Sequence, residues 1–81
     1  MNEKYLVRLS DEDRFWSDEG SGFVSKEAGL ELTEFSLEMA KKFAIEWGLE
    51  CHRPFYICDS FGNYIEKYST EVENEIIRRL D

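Results

Sequence analysis

The sequence has little of what most small enzymes and nucleic-acid-binding domains depend on. It has one histidine, two cysteines and one proline, and it contains only 10 Lys and Arg residues compared with 18 Asp and Glu residues. A surface that holds phosphates needs clustered bases, so we expect no direct contact with DNA, RNA or anionic lipid. There is also no run of ~18 apolar residues, so we expect no membrane span.

The N-terminus and the cysteines predict the cellular location of the protein. The opening MNEKYLVRLSDED lacks a basic start followed by an apolar core, which is the pattern of a secretory signal. Cys51 and Cys58 are too few for a disulfide framework, and we expect both to be reduced. We therefore expect a cytoplasmic protein.

No catalytic or metal motif is present. Cys51, His52 and Cys58 are the one group of soft ligands, whereas a structural zinc site usually needs four. The acids after Asp11 do not make a calcium loop, because Phe15 stands where the third oxygen ligand belongs. No G-x-S-x-G nucleophile motif occurs. We predict no enzyme activity, no metal and no cofactor.

The composition indicates one folded domain spanning residues 1–81. A chain of 81 residues cannot hold a second core, and at 42% hydrophobic and 15% aromatic residues it is too apolar to be disordered.

The first third of the chain predicts a hairpin. Residues Lys4–Leu9 alternate as a strand does, and Arg14–Ser17 is a short return strand after a polar turn. Phe23–Ser25 is brief and extended. The stretch Lys26–Thr33 is compatible with a helical turn or with a further short strand near Leu30.

A helix over Leu37–Trp47 is the clearest element. Ser36 is a good N-cap, and apolar residues at spacings of three and four form one stripe that places Trp47 in the core. Gly48 is the predicted left-handed stop.

The last third predicts a second hairpin and a second helix. Phe55–Asp59 and Tyr64–Tyr68 are rich in aromatic and β-branched residues, with Gly and Asn between them. Thr70 and Glu73 form a capping box before the final helix. The predicted class is α+β, with a small antiparallel sheet of two hairpins, two helices on one face and the order ββαββα.

Negative charge is concentrated in one segment. From Asp11 to Glu34 there are eight acids and two bases, which gives six of the eight net negative charges of the chain. Exposed aromatic residues beside exposed acids are typical of a protein interface with a charged rim. We predict that a protein partner binds at Asp11, Glu12, Asp13, Phe15, Trp16, Asp18, Glu19 and Phe23.

The stretch Gly22–Glu27, then Leu32, the pair Phe35-Ser36 and the Ala-bearing helix after it, resembles a pattern in short proteins of bacteriophages and prophages. Those proteins begin with an extended Y-x-V-x-L segment, here Tyr5–Leu9. The resemblance spans roughly residues 5 to 58 and brings no catalytic residue with it. It implies a phage context, in which some small acidic proteins inhibit host defence or DNA-binding machinery.

Two functions follow as hypotheses. The first is a small acidic interaction module that docks on a basic surface of a host protein, as an adaptor or as an inhibitor that mimics nucleic acid. The alternative is a structural protein that forms a homodimer, with an exposed strand of either hairpin pairing with its copy across a two-fold axis and without inhibitory activity.

Overall fold

The computed structural model describes residues 3–81, which form one antiparallel sheet and two helices. The strands stand in the order β3-β2-β1-β4, and both helices follow the third strand in the chain. The class is α+β, as predicted. The elements are β1 (Tyr5–Leu9), β2 (Arg14–Ser17), β3 (Gly22–Ser25), a 3-10 turn (Lys26–Ala28), α1 (Leu37–Cys51), β4 (Phe55–Asp59) and α2 (Glu66–Leu80).

The main core lies between the helices and one face of the sheet. β1 is central, and it pairs with β4 from Tyr5 opposite Asp59 to Leu9 opposite Phe55. Alternate residues of these two strands point toward the helices, as a pleated strand requires. The buried residues of this core are Tyr5, Val7, Leu9, Ala40, Ala44, Phe55, Ile57, Val72 and Ile76.

The opposite sheet face is also apolar. Leu6, Phe15 and Cys58 are buried on it, and Leu32 packs against them. Leu32 belongs to the irregular segment after the 3-10 turn, whose structure the sequence left open. This segment covers the second face and makes a smaller second core.

α1 begins as predicted but ends later. The Ser36 hydroxyl accepts a hydrogen bond from Met39 N–H at 3.3 Å, and the helix then runs to Cys51. The predicted stop at Gly48 is wrong, because Gly48 is buried where α2 crosses the helix and His52 takes the left-handed position with φ 57°. The predicted burial of Trp47 is also wrong, since this residue is 36% exposed.

The second hairpin does not form. Phe55–Asp59 is β4, but Tyr64 makes a single bridge to Cys58, and the chain enters α2 at Glu66. The apolar spacing of α2 extends back to Tyr68, which packs on the main core, so helical packing prevails over the strand propensity of this run. The capping box is wrong for the same reason, because Thr70 and Glu73 lie inside α2.

Candidate protein-docking site

The structure divides the predicted binding residues between two ends of the first hairpin. Residues 11–13 lie in the β1–β2 loop, and each of them forms an ion pair with an arginine. The pairs are Asp11 with Arg53 at 3.1 Å, Glu12 with Arg14 at 3.8 Å and Asp13 with Arg8 at 3.4 Å. These exposed pairs add little stability. They balance the charge of the loop, which weakens its attraction for a basic partner.

Phe15 is not available to a partner. Its side chain is 1% exposed and lies in the second core, with the Lys26 ammonium 5.2 Å from the ring centroid. The prediction that it contacts a partner is therefore wrong. Adjacent residues of a strand point to opposite faces, so Phe15 and Trp16 cannot share one surface.

Trp16 and Phe23 do lie together, on the helix side of the sheet. They are opposite each other on β2 and β3, and their rings meet edge to face at 5.4 Å. Trp16 also lies 5.0 Å from the ring of Phe43 and 5.6 Å from that of Trp47, both on α1. We call these four residues the aromatic cluster. It is partly open to solvent because the helices pack chiefly on β1 and β4.

Four carboxylates gather at the other end of β2. Asp18, Glu19, Glu31 and Glu34 line a surface depression of about 420 Å³ together with Lys4, Leu32 and Thr33. We call it the acidic groove. Glu31 and Glu34 were not among the predicted site residues, although they belong to the acidic segment. The groove carries four acids and one base, so its net charge is negative.

The groove exists because the first hairpin opens toward its far end. β1 and β2 pair at Arg8 opposite Phe15, and beyond that point the segment 33–35 lies between them. Thr33 N–H donates to Trp16 O at 3.1 Å, and Phe35 exchanges two bonds of 2.8 Å with Tyr5. This insertion brings the acids near residue 31 beside those near residue 18.

Two of the four carboxylates hold this arrangement in place. Asp18 Oδ1 accepts from Trp16 Nε1–H at 2.8 Å, and Glu19 Oε2 accepts from Glu31 N–H at 2.8 Å. Within residues 3–81, the side chains of Glu31 and Glu34 make no hydrogen bond and no ion pair. These two carboxylates are exposed and are free to meet a cation.

The cysteines and the histidine of the sequence analysis are distributed over different parts of the fold. Cys51 and His52 are exposed at the end of α1, whereas Cys58 is fully buried in the second core. Burial raises the pKa of the Cys58 thiol to about 11. No group of three or more His, Cys, Asp or Glu side chains suited to a metal occurs among residues 3–81.

Neither helix within residues 3–81 has the length and apolarity needed to cross a bilayer. Comparison with known proteins gives no match to this chain among protein-family models, curated proteins or solved structures. The resemblance to phage proteins therefore stays a prediction.

Proposed function

We propose that this chain is a small interaction module that binds a basic segment of another protein in the acidic groove. The observation that carries the proposal is the pair Glu31 and Glu34, which lie in a groove with two further carboxylates and have no Lys or Arg partner within residues 3–81. Carboxylates held close together make the local electrostatic potential more negative, and a bound basic segment would neutralise part of this charge.

Trp16 supports the same surface. Its indole N–H is bonded to Asp18 of the groove, while its ring belongs to the aromatic cluster. An aromatic side chain beside carboxylates offers a lysine or arginine both a charge partner and a flat apolar contact. The site that we propose consists of Trp16, Asp18 and Glu19 from the predicted set, together with Glu31 and Glu34.

The partner chemistry is that of a protein with an exposed run of Lys and Arg. A surface of this kind often serves nucleic acid, so occupation by an acidic module would either inhibit that contact or tether the module to it. Net charge of −8 on the whole chain would add long-range steering to the local contacts. A phage setting is one in which both roles are useful.

A nuclear magnetic resonance titration with a short peptide rich in lysine and arginine tests the proposal. We expect the amide signals of residues 18, 19, 31 and 34 and the Trp16 indole signal to shift most. The affinity should fall between ~50 and ~300 mM salt, because screening shortens the reach of surface charges. Shifts centred on residues 11–13, or an affinity that salt does not change, would contradict the proposal.

A further inference from the structure

One edge of the sheet is closed by the chain itself. On the outer edge of β4, Ser69 Oγ accepts from Ile57 N–H at 2.8 Å, and Ile57 O accepts from Ile65 N–H at 3.0 Å. Asp59 N–H donates to Asn63 O at 2.9 Å. These bonds occupy the groups that another strand would need, so β4 cannot extend the sheet. That leaves β3, at the other edge of the sheet that residues 3–81 form.

The backbone of β3 directs unused groups toward this second edge. Trp16 O accepts from Thr33 N–H at 3.1 Å on the side of β2 away from β3, so Trp16 and its opposite residue Phe23 are not hydrogen-bonded to each other. Antiparallel pairs alternate between bonded and unbonded, which makes Arg14 and Ser25 the next unbonded pair. The N–H and C=O of Phe23 and the N–H of Ser25 therefore point outward, and within residues 3–81 they make no hydrogen bond.

β3 lacks the residue types that natural edge strands use to discourage pairing. It reads Gly-Phe-Val-Ser and contains neither a charged residue nor a proline. Three outward groups are few, so they would hold another strand only weakly unless it had a second attachment. The acidic groove supplies one, because its residues Asp18 and Glu19 lie in the turn that joins β2 to β3.

The charges around β3 favour a basic occupant. The β2–β3 turn at one end of the strand carries two acids and no base. At the other end acids and bases are equal in number: Arg14 pairs with Glu12 at 3.8 Å, and Lys26 is followed by Glu27, whose Oε2 accepts from Ser25 Oγ–H at 3.0 Å. The net charge around the strand is therefore negative, which favours a basic segment and opposes a second copy of this chain, whose own charge is −8.

We propose that the basic partner adds an extended segment to β3 as a fifth strand and places the Lys and Arg residues next to that segment in the acidic groove. The inference rests on the proposed function and names the form of the partner, an extended stretch that is basic at the end passing the β2–β3 turn. Main-chain bonds to Phe23 and Ser25 hold the stretch, and the carboxylates of the groove select its charge. Every second side chain of the added strand lies on the side of the aromatic cluster, so we expect apolar residues at those positions.

Amide hydrogen exchange with a synthetic peptide tests this inference. The peptide has a short segment of alternating valine and threonine beside a run of lysines, and two versions, with the run at the N-terminus or at the C-terminus, cover both strand directions. We expect one version to slow the exchange of Phe23 N–H and Ser25 N–H at least about tenfold. Val24 N–H, which alternation directs toward β2, should change little.

The variants Ser25→Pro and Ser25→Ala form a matched pair. Both remove the hydroxyl that meets Glu27, but only proline also removes the outward N–H. Ser25 has φ −77°, which proline adopts, and its N–H does not serve β2, so proline leaves the ladder with β2 in place. We expect Ser25→Pro to bind the peptide at least about threefold more weakly than Ser25→Ala.

Far-ultraviolet circular dichroism checks that both variants are folded. If Ser25→Pro does not fold, a peptide N-methylated along its valine–threonine segment decides the question with the wild-type chain. It should bind at least about tenfold more weakly than the unmodified peptide, because it cannot donate to Phe23 C=O.

Unchanged exchange at Phe23 and Ser25, while the signals of Glu31 and Glu34 shift, would overturn this inference and leave the proposed function standing. Equal affinity of Ser25→Pro and Ser25→Ala would have the same meaning. A peptide that binds nowhere on the chain would overturn both proposals. Protection of Phe23 and Ser25 that grows with protein concentration in the absence of peptide would identify a second copy at this edge, and would overturn a basic occupant.

Discussion

Gly48 of α1 lies directly against Ile76 of α2. A Cβ placed on Gly48 would overlap Ile76 Cδ1 and would stand 2.9 Å from the backbone oxygen of Arg53. The helices can approach this closely because Gly48 has no side chain. The contact also explains why a glycine inside a helix is tolerated at this position.

Gly48→Ala should therefore destabilise the protein. In an exposed helix the change usually gains up to about 1 kcal/mol, but overpacking a core costs about 1–3 kcal/mol, and a backbone oxygen cannot move aside as a flexible side chain can. We expect a net loss in the free energy of unfolding, measured in urea. The control is Gly22→Ala, since no heavy atom lies within 4 Å of that Cβ. Equal stability of Gly48→Ala and the wild type would contradict the packing described.

Ser69→Ala should destabilise through an unpaired backbone group. Ser69 is buried and its hydroxyl serves Ile57 N–H, so alanine leaves that donor without a partner. The expected cost is about 1–3 kcal/mol. The exposed Ser60→Ala is the matched control and should change stability by less than about 0.5 kcal/mol. Similar urea midpoints for the two variants would show that Ile57 N–H does not depend on the Ser69 hydroxyl as its hydrogen-bond partner.

Asp59 should contribute to stability in a manner that depends on pH. Its carboxylate accepts from Asn63 N–H and from Phe61 N–H, both at 2.9 Å, and these bonds hold the pKa of Asp59 below its usual value. This stabilisation is fully present above the pKa that Asp59 has in the unfolded chain. It is lost as pH falls through the lower pKa that Asp59 has in the folded protein.

Replacement of Asp59 by asparagine removes this dependence. The melting temperature of Asp59→Asn should lie below that of the wild type near neutral pH, and the gap should narrow below about pH 4. The control Glu73→Gln changes an exposed carboxylate on α2. A gap that stays constant into acid would show that the charge of Asp59 is not what stabilises the turn.

The two thiols should differ in reactivity. Cys51 is exposed at the end of α1, whereas Cys58 is buried with a pKa of about 11, so few of its thiols are ionised at neutral pH. A disulfide reagent should modify one thiol of the folded protein quickly and the second after unfolding in guanidinium. Cys51→Ser should abolish the fast phase. Two fast thiols in the folded wild type would contradict the burial of Cys58.

Elements that depend on nearby residues were predictable from the sequence. β1, β2 and β4 follow from alternation and β propensity, and the start of α1 follows from the cap at Ser36. The strand prediction for Tyr64–Tyr68 is wrong because it rests on local strand propensity. The apolar stripe of α2, which begins at Tyr68, outweighs this propensity only when α2 packs on the core. Gly48 was misread for a similar reason, since its local signature is that of a helix stop and its role depends on Ile76.

The candidate site was predictable only in part. Alternation along β2 could have separated Phe15 from Trp16, since neighbours on a strand face opposite ways. The balance of charge in the β1–β2 loop could be foreseen only in part: Arg8 and Arg14 lie close to the loop in the sequence, but Asp11 and its partner Arg53 are 42 positions apart. Glu31 joins the groove through the insertion of segment 33–35 between two strands, a long-range event with no signature in the local sequence.

The most direct test of the proposed docking is the affinity of a lysine-rich peptide for two double variants of equal charge. Glu31→Lys/Glu34→Lys reverses the free carboxylates of the groove, and Glu50→Lys/Glu73→Lys makes the same change on exposed helix positions. The account predicts that the groove variant binds at least about tenfold more weakly than the helix variant, a difference of about 1.4 kcal/mol. Equal weakening of both variants would mean that net charge alone attracts the peptide, and would contradict a docking site in the groove.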